Sequence, residues 1–295
     1  MTRYERLLDR LERGERILID GATGTEIERL GVPQLDNAWN GGGALSHPDI
    51  VREVHEGYIR HGAEIIISNT FATSRHALRD AGVEHDFEAY NRRGVELACE
   101  ARTRSGKHDV LVAGGVSYWS WTGNHPPLDS LRTSITEQAQ IMAEAGADLL
   151  MLEMMVEIDR MLVTLEAAQT VGLPIWAGLT CEPDATGTIC LEKGEPLTDA
   201  LTVLANRNVP LVSIMHTDVK YIDACLDVLD EHWPGLVGVY AHSAEYGDGK
   251  WIYDDQISPE GYAEYSRNWL ARDVRVIGGC CGIGTDHIAV LESLV

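Results

Sequence analysis

No stretch of about 18 consecutive apolar residues occurs in this 295-residue chain, so nothing in it reads as a membrane-spanning helix. The opening Met1-Thr2-Arg3-Tyr4-Glu5 lacks the basic-then-apolar profile of a secretory signal, and a cytoplasmic protein is expected. Positive charge is scarce: 24 Lys+Arg stand against 46 Asp+Glu, a formal net charge of −22, and lysine occurs only at Lys107, Lys193, Lys220 and Lys250. Such a surface repels nucleic-acid phosphates and anionic membranes and draws cations toward it. Nucleic-acid and membrane partners are therefore not expected, and a cationic small molecule is the easier substrate to accommodate. The lysine deficit is equally a mark of a salty habitat or a GC-rich genome, neither of which names a function. Low-complexity segments, long charge blocks and a composition shift that would mark a linker are also missing.

The six cysteines, Cys99, Cys181, Cys190, Cys225, Cys280 and Cys281, show no spaced framework of the kind that staples small secreted domains, so reduced thiols are the default. Adjacent cysteines form a disulfide with each other only in strained geometry. Cys280-Cys281 is then either a metal pair or two small buried hydrophobes, and spacing alone leaves both open.

Short apolar, β-branched segments recur along the chain, each followed by polar or glycine-rich residues and then a stretch of helical periodicity. Candidate strands lie at 17–20, 65–68, 110–115, 149–153, 175–180, 211–215, 237–241 and 274–278. Between them stand readable helices: Pro48 in a first turn ahead of Val51, Val54 and Tyr58, and Thr285 as an N-cap before Ile288 and Leu291. Strands this apolar need cover on both faces, and eight βα units close into a (β/α)8 barrel spanning residues 1–295, with a doubly wound open sheet as the alternative.

In a barrel, chemistry sits just past the carboxyl ends of the strands. Those positions hold Asp20-Gly21, Thr70-Phe71, an aromatic cluster of Tyr118, Trp119 and Trp121, then Glu153, Cys181, His216, His242 and Cys280-Cys281. Soft ligands converge from strands six and eight, with Cys181 nearby, and zinc is the natural occupant of mixed thiolate and imidazole coordination. The runs Gly41-Gly42-Gly43 and Gly278-Gly279 lack a neighbouring base and are weak as phosphate cradles.

Over essentially its whole length the sequence resembles the homocysteine S-methyltransferase family of zinc-dependent barrels. The resemblance rests on LIDGATGTEIERLG (18–31), HPDIVREVHEGYIRHGAEIIISNTF (47–71), LLMLEMM (149–155) and, most specifically, IGGCCGIGTDHI (277–288). It implies a TIM barrel that moves a methyl group from an onium donor (betaine, S-methylmethionine or a related sulfonium) to a zinc-bound thiol, with homocysteine giving methionine. Family members hold Zn2+ by three cysteines. Cys280 and Cys281 match two of them, but the strand-six position carries His216 instead. The expected site is therefore Cys2His, with Cys181 as the competing third ligand. Two thiolates and a neutral imidazole leave the zinc site neutral rather than at −1. That favours thiol ionisation but makes the bound thiolate less nucleophilic, so a different thiol or selenol acceptor is the alternative, as is a non-catalytic ligand-binding descendant.

By the same resemblance Asp20 and Glu153 pair the acceptor's ammonium, Gly21 lets backbone approach it, and Thr70 reaches its carboxylate. Trp39 falls where the family can supply an aromatic facing the donor; Phe71, and Tyr118, Trp119 and Trp121 in a loop that departs from the Gly-Pro-Tyr-Gly stretch of many relatives, are expected to face the cationic donor through cation–π attraction. Against these roles stand plainer ones: Asp20 and Thr70 satisfying loop backbone, and the aromatics forming a hydrophobic lid or a contact in a homo-oligomer.

Overall fold

The alternation predicted from periodicity appears as eight strands: β1 (Ile17–Leu18), β2 (Ile65–Ile67), β3 (Leu111–Val116), β4 (Leu149–Met155), β5 (Ile175–Leu179), β6 (Leu211–Asp218), β7 (Leu236–His242) and β8 (Val276–Ile277). The computed structural model describes residues 1–243, Ile252, 257–295 and the backbone of 245–247 and 250–251. Every neighbouring pair in the order β1-β8-β7-β6-β5-β4-β3-β2 is parallel. The ring closes where Ile19 bridges Ile65 in parallel, with Glu64 N–H donating to Leu18 O at 2.8 Å and Asp20 N–H to Ile65 O at 3.0 Å. Closure decides for the (β/α)8 barrel over the open sheet. All residues of β2 to β5 are buried, as strands must be that face a packed interior on one side and helices on the other.

The amino-terminal end of the barrel is plugged by helix Arg3–Glu12. Thr2 Oγ1 accepts the Glu5 N–H at 3.1 Å while the Glu5 carboxylate accepts the Thr2 N–H at 2.7 Å, a reciprocal cap. Tyr4, Leu7 and Leu11 then fall on one buried face, and Trp176 Nε1–H on β5 donates to Tyr4 OH at 3.1 Å. That end is structural, which leaves the opposite rim for chemistry.

Helix Pro48–Arg60 starts on its proline and buries Val51, Val54 and Tyr58 as their spacing predicts. The last helix differs by one residue: Thr285 is its first helical position and Gly284 the cap. A side chain at 284 would collide with the Glu26 carboxylate, and the Gly284 N–H is met instead by His287 Nδ1 at 3.3 Å. Two short hairpins, Cys181–Pro183 with Ile189–Leu191 and Glu245–Gly247 with Lys250–Ile252, follow β5 and β7 and are too brief to show a period in sequence. Among the described residues no helix is long and apolar enough to cross a membrane.

A candidate metal and substrate site

β4 and β6 run further toward the site than their apolar stretches suggest, because each carries a bulge. The ladder shifts between Leu152 and Met155 in β4 and between Met215 and Asp218 in β6, and at the two bulges Met154 and His216 take φ of 53° and 44°. Positive φ in a side-chain-bearing residue is costly, and a bulge re-aims the side chain it carries. His216 is thus held within β6 at the bulge, not one residue beyond the barrel wall. The bulges are tied together: Met215 Sδ accepts the Met154 N–H at 3.2 Å and the Thr180 hydroxyl at 3.5 Å.

From β8 the chain turns sharply into Cys280-Cys281. Cys280 N–H donates to Ala241 O at 2.9 Å and Ser243 N–H to Cys281 O at 3.0 Å, fixing the turn against the end of β7. Its glycines are sterically required, since a Cβ at Gly278 would strike Ile19 and one at Gly279 would strike Ile283.

His216, Cys280 and Cys281 come together from these two strand ends, with all their ligand atoms within 4.8 Å of one another. Cys280 Sγ stands 3.9 Å from Cys281 Sγ and 3.5 Å from His216 Nδ1. Tetrahedral zinc, with Zn–S of about 2.3 Å and Zn–N of about 2.0–2.1 Å, needs S···S of roughly 3.8 Å and S···N of roughly 3.6 Å. The donor set fits. Cys281, and then burial, push the Cys280 thiol well above its ordinary value, so a cation is what would convert this pair to thiolates. Cys181 lies on the cavity wall, but its thiol faces Cys225 on helix Ile222–His232; that contact, then burial, raise it, and it is not in the His216 cluster. His242 stands edge-on against His216, ring centroids 4.5 Å apart.

The cluster borders a cavity of about 1910 Å³ over the carboxyl ends of the strands. Among its described lining residues, six acidic side chains face two basic ones, Arg29 and Lys220. Glu153 lines the cavity wall, and burial pushes it up to about 8. Asp20 is 1% exposed; burial and, more weakly, Glu153 raise it well above the ordinary carboxyl range, against the pull of the Ile67 N–H that Oδ2 accepts at 2.7 Å. Its Oδ1 has no hydrogen-bond partner. Gly21 lines the cavity, and a Cβ there would collide with Ile283 O.

Trp39, Phe71 and Trp121 form an aromatic row on the wall, Phe71 meeting Trp39 edge-on at 6.5 Å between centroids and Trp121 at 6.0 Å. Trp119 also reaches the cavity, with Lys193 Nζ 5.5 Å from its ring centroid.

Three of the expected residues, Asp20, Thr70 and Tyr118, are not on the cavity wall, and two of them turn their hydroxyls to backbone. The Thr70 hydroxyl donates to Gly115 O at 2.8 Å and pairs with Ser68 Oγ at 2.8 Å, tying β2 to β3 in full burial. The Tyr118 hydroxyl accepts the N–H groups of Val156 and Glu157 at 2.7 and 3.0 Å, pinning the loop after β3 to the loop after β4. For both, neighbouring backbone outcompetes a place on the cavity wall. Sequence reasoning in turn passes over Tyr240, whose signal was an aromatic inside the otherwise aliphatic segment Val237, Val239, Ala241.

The family model for homocysteine S-methyltransferase matches residues 17–295. Homocysteine S-methyltransferase 1 of Zea mays is 25% identical, the match covering 94% of each chain. The selenocysteine Se-methyltransferase of Brassica oleracea var. italica is 24% identical over 92% of this chain and 86% of its own. In fold, the metallated form of the homocysteine methyltransferase MmuM from Escherichia coli superposes with a TM-score of 0.82 over 100% of both chains at 24% identity. A family match that runs from β1 to the last residue and takes in both strand ends of the metal cluster settles the kinship: this chain belongs to the homocysteine S-methyltransferase family and is a methyltransferase.

Proposed function

We propose that this enzyme transfers a methyl group from an onium donor to a thiol acceptor held at a zinc site made by His216, Cys280 and Cys281, with homocysteine as the acceptor and methionine as the product. The observation that carries the reading is the cluster itself, whose spacings match tetrahedral zinc with one position left for substrate sulfur. Zinc bound there would lower the pKa of the incoming thiol from about 8.5 and hold it as the thiolate nucleophile.

The chain's own residues supply the rest. Asp20 follows β1 and Glu153 lies on β4, three strands away round the barrel, and the two buried carboxyl groups favour the acceptor's ammonium. The row Trp39, Phe71 and Trp121, with Trp119 near it, supplies aromatic faces for an onium methyl, each cation–π contact contributing about 0.5–2 kcal/mol. The acidic cavity lining raises the local concentration of a cationic donor. A methyl moving from cation to anion neutralises both charges, so the apolar aromatic row favours the transfer over its separated ions.

The Brassica selenocysteine Se-methyltransferase supports a selenol as a second acceptor at the same site. Zinc-loaded protein given homocysteine and, in turn, S-methylmethionine and betaine should release methionine detectable by mass spectrometry, and a chelator should stop it. No methionine from zinc-replete protein with either donor would refute the reading for homocysteine; methylselenocysteine from selenocysteine would then move the assignment to the selenol.

A further inference from the structure

One polar atom at the floor of the cavity is left without a role by the metal cluster and the carboxylate pair. Tyr240 lies on β7, is 1% exposed and lines the cavity, yet its hydroxyl has no hydrogen-bond partner. A buried hydroxyl in that state costs about 1–3 kcal/mol, which a fold would shed by phenylalanine unless something else meets the oxygen. The fold instead makes room for it. The hydroxyl reaches across the barrel to β5, where a Cβ on Gly178 would run into it and into Met215. The same position at Gly178 lies 3.0 Å from Leu152 O, the carbonyl before Glu153, so the hydroxyl stands near the Glu153 end of β4; after burial, Glu153 is the largest influence on the phenol, then Cys280 and Asp20. Burial and these neighbours raise the phenol well above its ordinary value, and it stays a neutral O–H.

We propose that Tyr240 completes the ammonium pocket of the acceptor: its oxygen accepts one N–H of the α-ammonium group while its own O–H donates to the Glu153 carboxylate. The inference rests on the acceptor being an α-amino thiol or selenol, as read above. A primary ammonium has three N–H donors and no acceptor. The barrel mouth offers matching oxygens: a Glu153 oxygen and the partnerless Tyr240 Oη on the cavity wall, with Asp20 Oδ1, also without a partner, buried just outside its lining. Tyr58 carries the other orphaned phenol; like Asp20 it does not line the cavity, and its hydroxyl packs against Gly21, with Glu26 the largest charged influence on it after burial. Tyr240 therefore touches substrate and sets its specificity: it selects acceptors that carry an α-amino group over thiols that lack one.

The test compares two probes on zinc-loaded protein: homocysteine, and 4-mercaptobutanoate, which is homocysteine with hydrogen in place of the amino group. Calorimetric titration of wild type should show tighter binding of homocysteine. Tyr240→Phe should weaken homocysteine by about tenfold or more and change 4-mercaptobutanoate by less than about twofold, with zinc content unchanged. Equal losses on both probes would make Tyr240 a packing residue, and an unchanged homocysteine affinity would remove it from the pocket; either overturns the proposal. If wild type does not prefer homocysteine, the α-amino acceptor reading fails first and takes this inference with it. A crystal structure of wild type with homocysteine gives a reading free of mutation: nitrogen within about 3.2 Å of Tyr240 Oη supports the contact, and a separation beyond about 4 Å overturns it.

Discussion

Glu153→Gln should stabilise the substrate-free protein at alkaline pH while removing its affinity for the acceptor. Burial holds the Glu153 carboxyl at about 8 against an ordinary 4.5. A carboxyl whose folded pKa is raised costs nothing below its unfolded value, where both states are protonated. The cost grows as pH climbs from 4.5 toward about 8 and levels off above, where folding must bury the anion. At about 1.4 kcal/mol per pKa unit the gap sets a ceiling of roughly 5 kcal/mol above pH 8 and roughly 3 kcal/mol at pH 7. Glutamine has nearly the same shape but carries no charge; burying its amide gives part of the gain back, leaving about 2–4 kcal/mol in favour of the variant at pH 8.5 and about zero at pH 5. Urea unfolding of wild type and variant at the two pH values, without acceptor, measures the difference directly. A variant equally stable relative to wild type at both pH values, or less stable at pH 8.5, would show that Glu153 is ionised and well solvated or paired in the folded chain, and the reasoning would fail. On binding, the ammonium of homocysteine would supply the charge that the empty pocket lacks. Wild type should then release a proton from Glu153 when homocysteine binds near pH 7, and the variant should not.

Cys280→Ala or Cys281→Ala should abolish stoichiometric zinc together with methyl transfer; full activity in either metal-free variant would end the zinc assignment. Zinc X-ray absorption of substrate-free enzyme should show two sulfurs near about 2.3 Å and a nitrogen near about 2.0–2.1 Å, with the nitrogen lost in His216→Ala and a third sulfur gained in His216→Cys. Cys181→Ala should leave zinc in place, since that thiol faces Cys225; loss of metal there would transfer the third ligand to Cys181. Trp121→Ala removes the outer member of the aromatic row, so the donor KM should rise several-fold more than the acceptor KM, and equal effects would make the row a lid rather than a donor surface.

What could be read from the chain before its fold was known follows a physical division. Strand and helix periodicity is local, and all eight barrel strands appear at their expected places because each is apolar on both faces. The candidate metal donors are local too: Cys280-Cys281 and His216 are chemically conspicuous at strand ends. Side-chain direction is not local. Thr70 and Tyr118 have the right type and place along the chain, yet backbone groups from the next βα unit, Gly115 O for one and the Val156 and Glu157 N–H groups for the other, claim their hydroxyls. No pattern within either segment announces a partner some forty residues away.

The same division explains His216. A histidine at the end of strand six is visible in the sequence, but what aims it is a bulge with φ of 44°, and the bulge depends on strands β4 and β5. Met215, the residue before it, uses its thioether to accept the Met154 N–H of the neighbouring bulge and the Thr180 hydroxyl at the end of β5. A strained backbone persists only where its surroundings over-determine it, and here the over-determination comes from three strands meeting at one sulfur. Imidazole is rigid and would have to arrive at a fixed angle to share an ion with two thiols anchored by the turn after β8. The geometry of the His216, Cys280 and Cys281 cluster is therefore a property of the barrel rim as a whole, in which sequence supplies the side chains and the bulge in β6 supplies the direction of His216.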